Sequence, residues 1–119
     1  MRIILLLIFS VLVNLPFAHN SEAEAYKDAL KKALELDKDG FYEEAIEYWG
    51  KSLIGSPTNV RLFSSLKISG TYTRLGNLIR SEEISKALTK SHPQYYESWF
   101  NYANTLGALR KYSQAISAF

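Results

Sequence analysis

The sequence predicts an all-α fold, a solenoid of helix-turn-helix repeats with about three helix pairs, the last of them incomplete. Two observations predict this class. The segment 40–49 returns in loosened form at 110–119, with Tyr, Ala, Ile and an aromatic residue in the same order and spacing. Gly40 and Gly76, each placed where a helix should end, lie 36 residues apart. A period of about 34 residues is typical of stacked helical hairpins.

The first 18 residues have the layout of a secretory signal. Arg2 is followed by an apolar run over residues 3–13, and the apolar stretch ends at Ala18. A run of about eleven residues is too short to span ~30 Å of hydrocarbon. We therefore predict an exported protein, periplasmic or secreted, with cleavage between residues 18 and 23. The alternatives are an uncleaved membrane anchor over residues 3–18 and a buried helix of the domain.

Charge and composition exclude several classes of function. Without Arg2 the chain has 13 Lys and Arg against 12 Asp and Glu, and the two signs are interleaved. A nucleic-acid surface needs cations clustered on one face, so nucleic acid is not an expected partner. The chain has no cysteine, which excludes disulfides, thiolate metal sites and a thiol nucleophile.

The first hairpin is predicted over residues 24–57. Apolar residues recur every three or four positions from Tyr26 to Leu36, as in a helix with one buried face. Gly40 suits the positive φ that often ends a helix. The second helix is predicted to end at Gly55-Ser56-Pro57. Its apolar side consists of Tyr42, Ala45, Ile46, Trp49 and Leu53.

The middle hairpin is predicted over residues 59–93. Its first helix should begin at an N-cap, Asn59, and stop at Gly76. Its second helix, about residues 78–91, is the weakest on the chain. Ser81 stands where Ala45 stood one repeat earlier, so either the register has slipped or the packing is poor. The remaining stripe consists of Ile84, Ala87 and Leu88.

The third hairpin is predicted over residues 94–119. Trp99, Ala103 and Leu106 fall at helical spacing in its first helix. Its second helix has only about two turns before Phe119, whereas the corresponding helix of the first hairpin has about three. Solenoids need a terminal helix with a polar outer face. We therefore expect the sequence to be truncated, with more repeats after Phe119.

The three units resemble the tetratricopeptide repeat over about residues 24–119, strongly in the first and third units and weakly in the second. That family places Trp, Leu, Gly and Tyr in the first helix, Ala, Phe and Ala in the second, and Pro afterwards. Its small residues stand where two helices approach to about 8–10 Å. The residues on framework places are Ala33, Gly40, Tyr42, Ala45, Trp49, Pro57, Tyr72, Gly76, Pro93, Trp99, Ala103, Tyr112, Ala115 and Phe119.

No pattern predicts a catalytic, metal or cofactor site. Asp37 and Asp39 resemble the start of a calcium loop, but Ile46 stands where that loop needs a glutamate. His19 and His92 are far apart in the sequence, and an exposed loop position is the simpler interpretation of each. We therefore expect no cofactor, no metal and no catalysis.

Paired carboxylates and aromatic residues also have structural explanations. Glu43-Glu44 and Glu82-Glu83 fall in the first turns of predicted helices, where negative charge is favourable. The aromatic residues that could form a sugar-binding cage fall instead on framework places, where packing is the preferred interpretation. They are Tyr42, Trp49, Tyr72, Trp99 and Tyr112.

The resemblance implies a concave face lined by the first helix of each pair. A mixture of apolar and cationic groups there suits an extended peptide or an amphipathic helix of another protein. We therefore expect a protein-interaction module that touches a membrane only through an uncleaved N-terminal segment. The alternatives are the binding region of a larger enzyme or envelope-assembly factor, and a membrane-anchored repeat protein. The implied groove residues are Lys27, Leu30, Leu34, Phe63, Leu66, Arg74, Phe100 and Asn104.

Overall fold

The computed structural model describes residues 24–118. The predicted signal segment 1–18, the cleavage region up to residue 23 and the framework residue Phe119 lie outside the described residues. So do the side chains of Tyr112 and Ala115, two further framework places.

The described residues form six α-helices and no strand, which confirms the all-α, repeat-like fold class. Helices adjacent in sequence pack against each other as hairpins. The six helices are α1 (24–38), α2 (Tyr42–Lys51), α3 (Thr58–Arg74), α4 (Leu78–Ser91), α5 (Tyr96–Ala108) and α6 (Tyr112–Ala118).

Helices α3 and α5 run side by side in the same direction. They pack against each other although α4 separates them in the sequence. Ser81, near the start of α4, shares hydrogen bonds with Thr73 near the end of α3 and with Thr105 near the end of α5. Helix α4 is therefore antiparallel to both, and the first helices of the second and third hairpins form one continuous face.

The three hairpins turn in the same way. Gly40 and Gly76 have φ angles of 84° and 82°, and Arg110 takes the equivalent place with φ 63°. After each, an N–H reaches back five residues to a helix carbonyl, as in a Schellman motif, over 2.8–2.9 Å. The positive φ is strain-free for glycine, whereas it costs Arg110 about 1–2 kcal/mol.

The predicted start of α3 was wrong by two residues. Pro57, with φ −69° and ψ 163°, is the N-cap, and Asn59 lies in the first turn. Proline has a φ near the helical value and no N–H to leave unpaired, so it is compatible with a helix start, and no side chain caps this helix. Arg61 stabilises the entry by donating to the carbonyl of Ser56 over 2.7 Å.

Helix α4 has the predicted bounds, and its register has not slipped. Ser81 is fully buried, as is Ala45 at the equivalent place in α2. The predicted stripe was wrong at Ala87, which is exposed, and incomplete, because hydroxyl residues occupy most of the buried face. That face consists of Ser81, Ser85, Leu88 and Thr89.

The carboxylates of α4 do not act at the helix start, contrary to the prediction. Glu82 and Glu83 lie beyond the first turn, which contains no acidic residue. Glu82 pairs with Lys111 at 2.9 Å and Glu83 with Arg80 at 3.0 Å. In α2 the predicted arrangement is present, with Glu43 in the first turn.

Candidate functional site

A groove of about 340 Å³ opens between α3 and α5, where the continuous face carries apolar and charged side chains together. We call it the α3–α5 groove. Its lining residues are Asp37, Phe63, Leu66, Lys67, Gly70, Thr71, Arg74, Glu97, Phe100, Asn101 and Asn104.

Helical periodicity places these side chains on facing sides of the two helices. The α3 residues follow one another at intervals of one or three positions from Phe63 to Arg74, and the α5 residues do the same from Glu97 to Asn104. Asn101 Nδ2 on α5 donates to the carbonyl of Leu66 on α3 over 3.3 Å. This hydrogen bond ties the two walls together near the middle of the groove.

Two phenylalanines supply apolar surface to the groove. Phe63 is 42% exposed and Phe100 is 44% exposed. The Phe63 ring meets Trp49 edge to face at 5.7 Å, and the Phe100 ring stacks with Tyr96 at 5.9 Å. Each ring is therefore held by a neighbour while much of its surface remains available to a ligand.

The space of the groove depends on Gly70. A Cβ built at this position meets no atom within 4 Å, so any side chain here would project into open space. Glycine in a helix interior costs about 0.5–1 kcal/mol relative to alanine. The fold tolerates that cost at Gly70, and the result is a gap in the α3 wall of the groove.

Charged groups lie along both walls. Arg74 Nη1 donates to Asp37 Oδ1 over 3.0 Å, and the guanidinium lies 5.5 Å from the ring centre of Tyr42. Lys67 Nζ lies 5.6 Å from the ring centre of Phe63. Glu97, in the first turn of α5, provides a carboxylate on the opposite wall. The groove thus combines apolar surface with charges of both signs.

The structure brings most of the sequence-predicted groove residues together but leaves three outside. Phe63, Leu66, Arg74, Phe100 and Asn104 line the α3–α5 groove. The residues that do not line it are Lys27, Leu30 and Leu34, all on α1.

The three α1 residues have other surroundings. Leu30 packs against the core cluster of the first hairpin, and Leu34 is 44% exposed on α1. Lys27 pairs with Glu24 at 2.8 Å, and the hydrogen bond that Lys27 donates to this carboxylate raises the pKa of the Lys27 amine. Helix α1 contributes only its last turn to the groove, through Asp37.

The repeat spacing contains a signal for the groove that the resemblance did not use. Leu34, Gly70 and Asn104 occupy equivalent places, 36 and 34 residues apart. Leu34 on α1 is a large apolar residue, whereas Gly70 at the equivalent place on α3 has no side chain and leaves the gap. The lining residues missed from the sequence are Asp37, Lys67, Gly70, Thr71, Glu97 and Asn101.

Framework residues have different degrees of burial. Trp49, Ala33, Ala45 and Ala103 are at most 1% exposed. Trp99, expected to be buried, is only half-buried, and its Nε1 donates to the carbonyl of Pro93 over 2.9 Å. Tyr42 and Tyr72 are also half-buried.

Two kinds of site are not found within residues 24–118. No group of three or more His, Cys, Asp or Glu side chains there is arranged to hold a metal ion. In the same range, no helix combines the length and the apolar character that crossing a bilayer requires.

Comparison with known proteins identifies no family for this chain. No protein-family model matches it, and no curated protein sequence matches it significantly. The geometry of the α3–α5 groove is therefore the main basis for a functional proposal.

Proposed function

We propose that this chain is a protein-interaction module that binds an apolar segment of another protein in the α3–α5 groove, without catalysis. The observation that carries the proposal is the partial exposure of Phe63 and Phe100 in a groove that Gly70 leaves open. Grooves that combine aromatic surface with a few polar groups are suited to peptide segments.

The groove would act by being formed before the ligand arrives. The groove walls are restricted by the hydrogen bond between Asn101 and Leu66 and by the aromatic partners of Phe63 and Phe100. Binding should therefore cost little conformational entropy of the protein. Covering the rest of the two rings would contribute about 2 kcal/mol. Polar contacts must supply the remainder, which favours a modest, reversible affinity.

The sequence supports a wider proposal. The apolar segment 1–18 favours export to the periplasm or the exterior, with an uncleaved anchor over residues 3–18 as the alternative. The resemblance to the tetratricopeptide repeat favours a binding role over an enzymatic one. The same resemblance allows this chain to be the binding region of a larger enzyme or envelope-assembly factor.

Filling the groove tests the proposal. Gly70→Leu places in α3 the residue that α1 already has at Leu34, and leucine is a good helix former, so the fold should persist. Peptides selected from a phage-displayed library on the unmodified protein should bind Gly70→Leu at least tenfold more weakly, measured by fluorescence anisotropy.

Gly50→Leu on α2 is the matched control, because Gly50 is also a helical glycine with open space around its Cβ and does not line the groove. This variant should bind the selected peptides as the unmodified protein does. Equal loss of binding in the two variants, or no loss in Gly70→Leu, would contradict the groove as the binding site.

A further inference from the structure

The α3–α5 groove carries opposite charges at its two ends. Asn101 lies beside Leu66, and the parallel helices rise about 1.5 Å per residue. Glu97 therefore lies about 6 Å from this level toward the N-terminal end of both helices. Arg74 lies about 12 Å from it toward the C-terminal end, and Lys67 lies close to the level of Asn101.

These charges are available to a ligand to different degrees. Within residues 24–118, neither Lys67 nor Glu97 forms an ion pair. Arg74 uses one N–H for Asp37, whose side chain is 9% exposed, while the Arg74 side chain is 56% exposed. A guanidinium has five N–H donors, so Arg74 keeps donors for an acidic group of a ligand beside its pair with Asp37.

Helix dipoles account for only part of this arrangement. Glu97 in the first turn of α5 and Arg74 in the last turn of α3 are favourable for their own helices. Lys67 is in the interior of α3, where the dipole offers no such benefit. Its amine lies over Phe63, at the edge of the apolar surface that a ligand would cover.

We propose that the groove selects an extended peptide in which an apolar side chain lies between a basic and an acidic residue, in one fixed order. The basic residue would face Glu97, and the apolar side chain would lie against Phe63 and Phe100. The acidic residue would lie between the levels of Lys67 and Arg74, within reach of both long side chains. This inference rests on the proposed function and adds the chemistry and the direction of the ligand.

The dimensions determine the length of the motif. Glu97 and Arg74 are about 18 Å apart along the groove, and an extended chain advances about 3.3 Å per residue. The two charged positions of the ligand should therefore lie about four to six residues apart. A volume of about 340 Å³ is near the small end of ligand sites, which suits one or two inserted side chains better than a whole helix.

Selection of a phage-displayed library of random nine-residue peptides on the intact protein tests the charge order. The enriched peptides should share a basic residue, an apolar centre and an acidic residue in one order along the chain. Their binding to the double charge reversal Lys67→Glu with Glu97→Lys should be at least tenfold weaker. Selection repeated on that variant should no longer enrich this order.

The control is the reversal Glu43→Lys with Lys86→Glu, on α2 and α4, at exposed positions outside the groove. Glu43, like Glu97, is in the first turn of its helix. This control should bind the first set of peptides within twofold of the unmodified protein. Circular dichroism checks that all variants keep their helix content.

Two results separate failure of the inference from failure of the proposed function. Apolar peptides that are blocked by Gly70→Leu but show no charge order, or that bind the reversed variant equally well, would overturn the inference and leave groove binding intact. Peptides insensitive to Gly70→Leu would overturn both. Salt should weaken the selected complexes several-fold between 50 and 500 mM NaCl, since partly exposed charge pairs are screened.

Discussion

The first hairpin and the joint between α3, α4 and α5 follow the same repeat geometry but are held together by different chemistry. In the first hairpin Ala45 packs in an apolar cluster with Ala33, Leu36 and Trp49. In the later joint, the equivalent Ser81 is equally buried but lies among hydroxyl groups. Its Oγ lies 3.1 Å from Ser69 Oγ, 2.6 Å from Thr73 Oγ1 and 3.0 Å from Thr105 Oγ1.

The difference shows that the repeat requires a small residue at this place and not an apolar one. A serine fits where helices approach closely, provided that its hydroxyl finds partners. Hydrogen bonds are directional, whereas apolar contacts allow helices to slide. The later joint therefore buries less apolar surface than the first hairpin, but its hydrogen bonds fix the arrangement of three helices. This hydroxyl cluster consists of Ser69, Thr73, Ser81 and Thr105.

That fixed arrangement lies directly behind the α3–α5 groove. On α3, Ser69 and Thr73 alternate with the groove residues Gly70 and Arg74, and on α5 Thr105 follows Asn104. Ser81 of α4 bonds to both helices at once. The cluster thus sets the separation of the two groove walls from behind, while the first hairpin acts as the apolar support.

Removing the apolar support should have the largest effect. Trp49 is fully buried, so Trp49→Ala should reduce the free energy of unfolding by about 3–5 kcal/mol through cavity formation. Trp99→Ala is the comparison, and it should cost about half as much because Trp99 is only half-buried. Urea unfolding followed by circular dichroism measures both. Equal losses would contradict the assignment of the apolar core to the first hairpin.

Exchanging the small residues of the two regions should have a smaller effect than Trp49→Ala. Both Ser81→Ala and Ala45→Ser should lower the free energy of unfolding. Ser81→Ala deprives three hydroxyls of a partner, although each keeps a bond to a backbone carbonyl, and should cost about 1 kcal/mol. Ala45→Ser buries a hydroxyl in an apolar cluster and should cost about 1–3 kcal/mol. Urea unfolding again provides the measurement. If Ser81→Ala were neutral or stabilising, the hydroxyl cluster would contribute nothing to the joint.

The smallest effect should come from the turn of the third hairpin. Arg110→Gly gives this turn the glycine that the other two hairpins have, and should stabilise the protein by about 0.5–1 kcal/mol. Gly76→Arg, the reverse change in the second hairpin, should destabilise it by a similar amount or more. A shift of the urea midpoint measures each change. A midpoint lowered by Arg110→Gly would mean that the positive φ is not a cost here.

The sequence predicted the parts of the fold that depend on local chemistry. Gly40 and Gly76 end helices because few other residues take positive φ easily. The bounds of α4 could be predicted because residues that interrupt a helix lie on both sides of it. The N-cap at Asn59 was wrong because Pro57 had already fixed the chain direction. The burial of Ser81 could not be predicted, since its partners Thr73 and Thr105 come from two other helices.

The candidate site was predicted less completely than the fold. The repeat resemblance implied that Phe63, Leu66 and Phe100 lie on a common concave face, and all three line the groove. It cannot find the Gly70 gap or the Asp37 contribution, which depend on how closely neighbouring helices pack. It also placed Leu30 in the groove, whereas that residue packs against the first core.

The central claim, that a partner segment binds between α3 and α5, is tested most directly by amide chemical shifts in an NMR titration. Protein labelled with ¹⁵N is titrated with a peptide from the phage selection. The largest shift changes should occur at Leu66, Gly70, Asn101 and Asn104. Changes confined to the exposed faces of α2 and α4, with the groove amides unmoved, would contradict the claim.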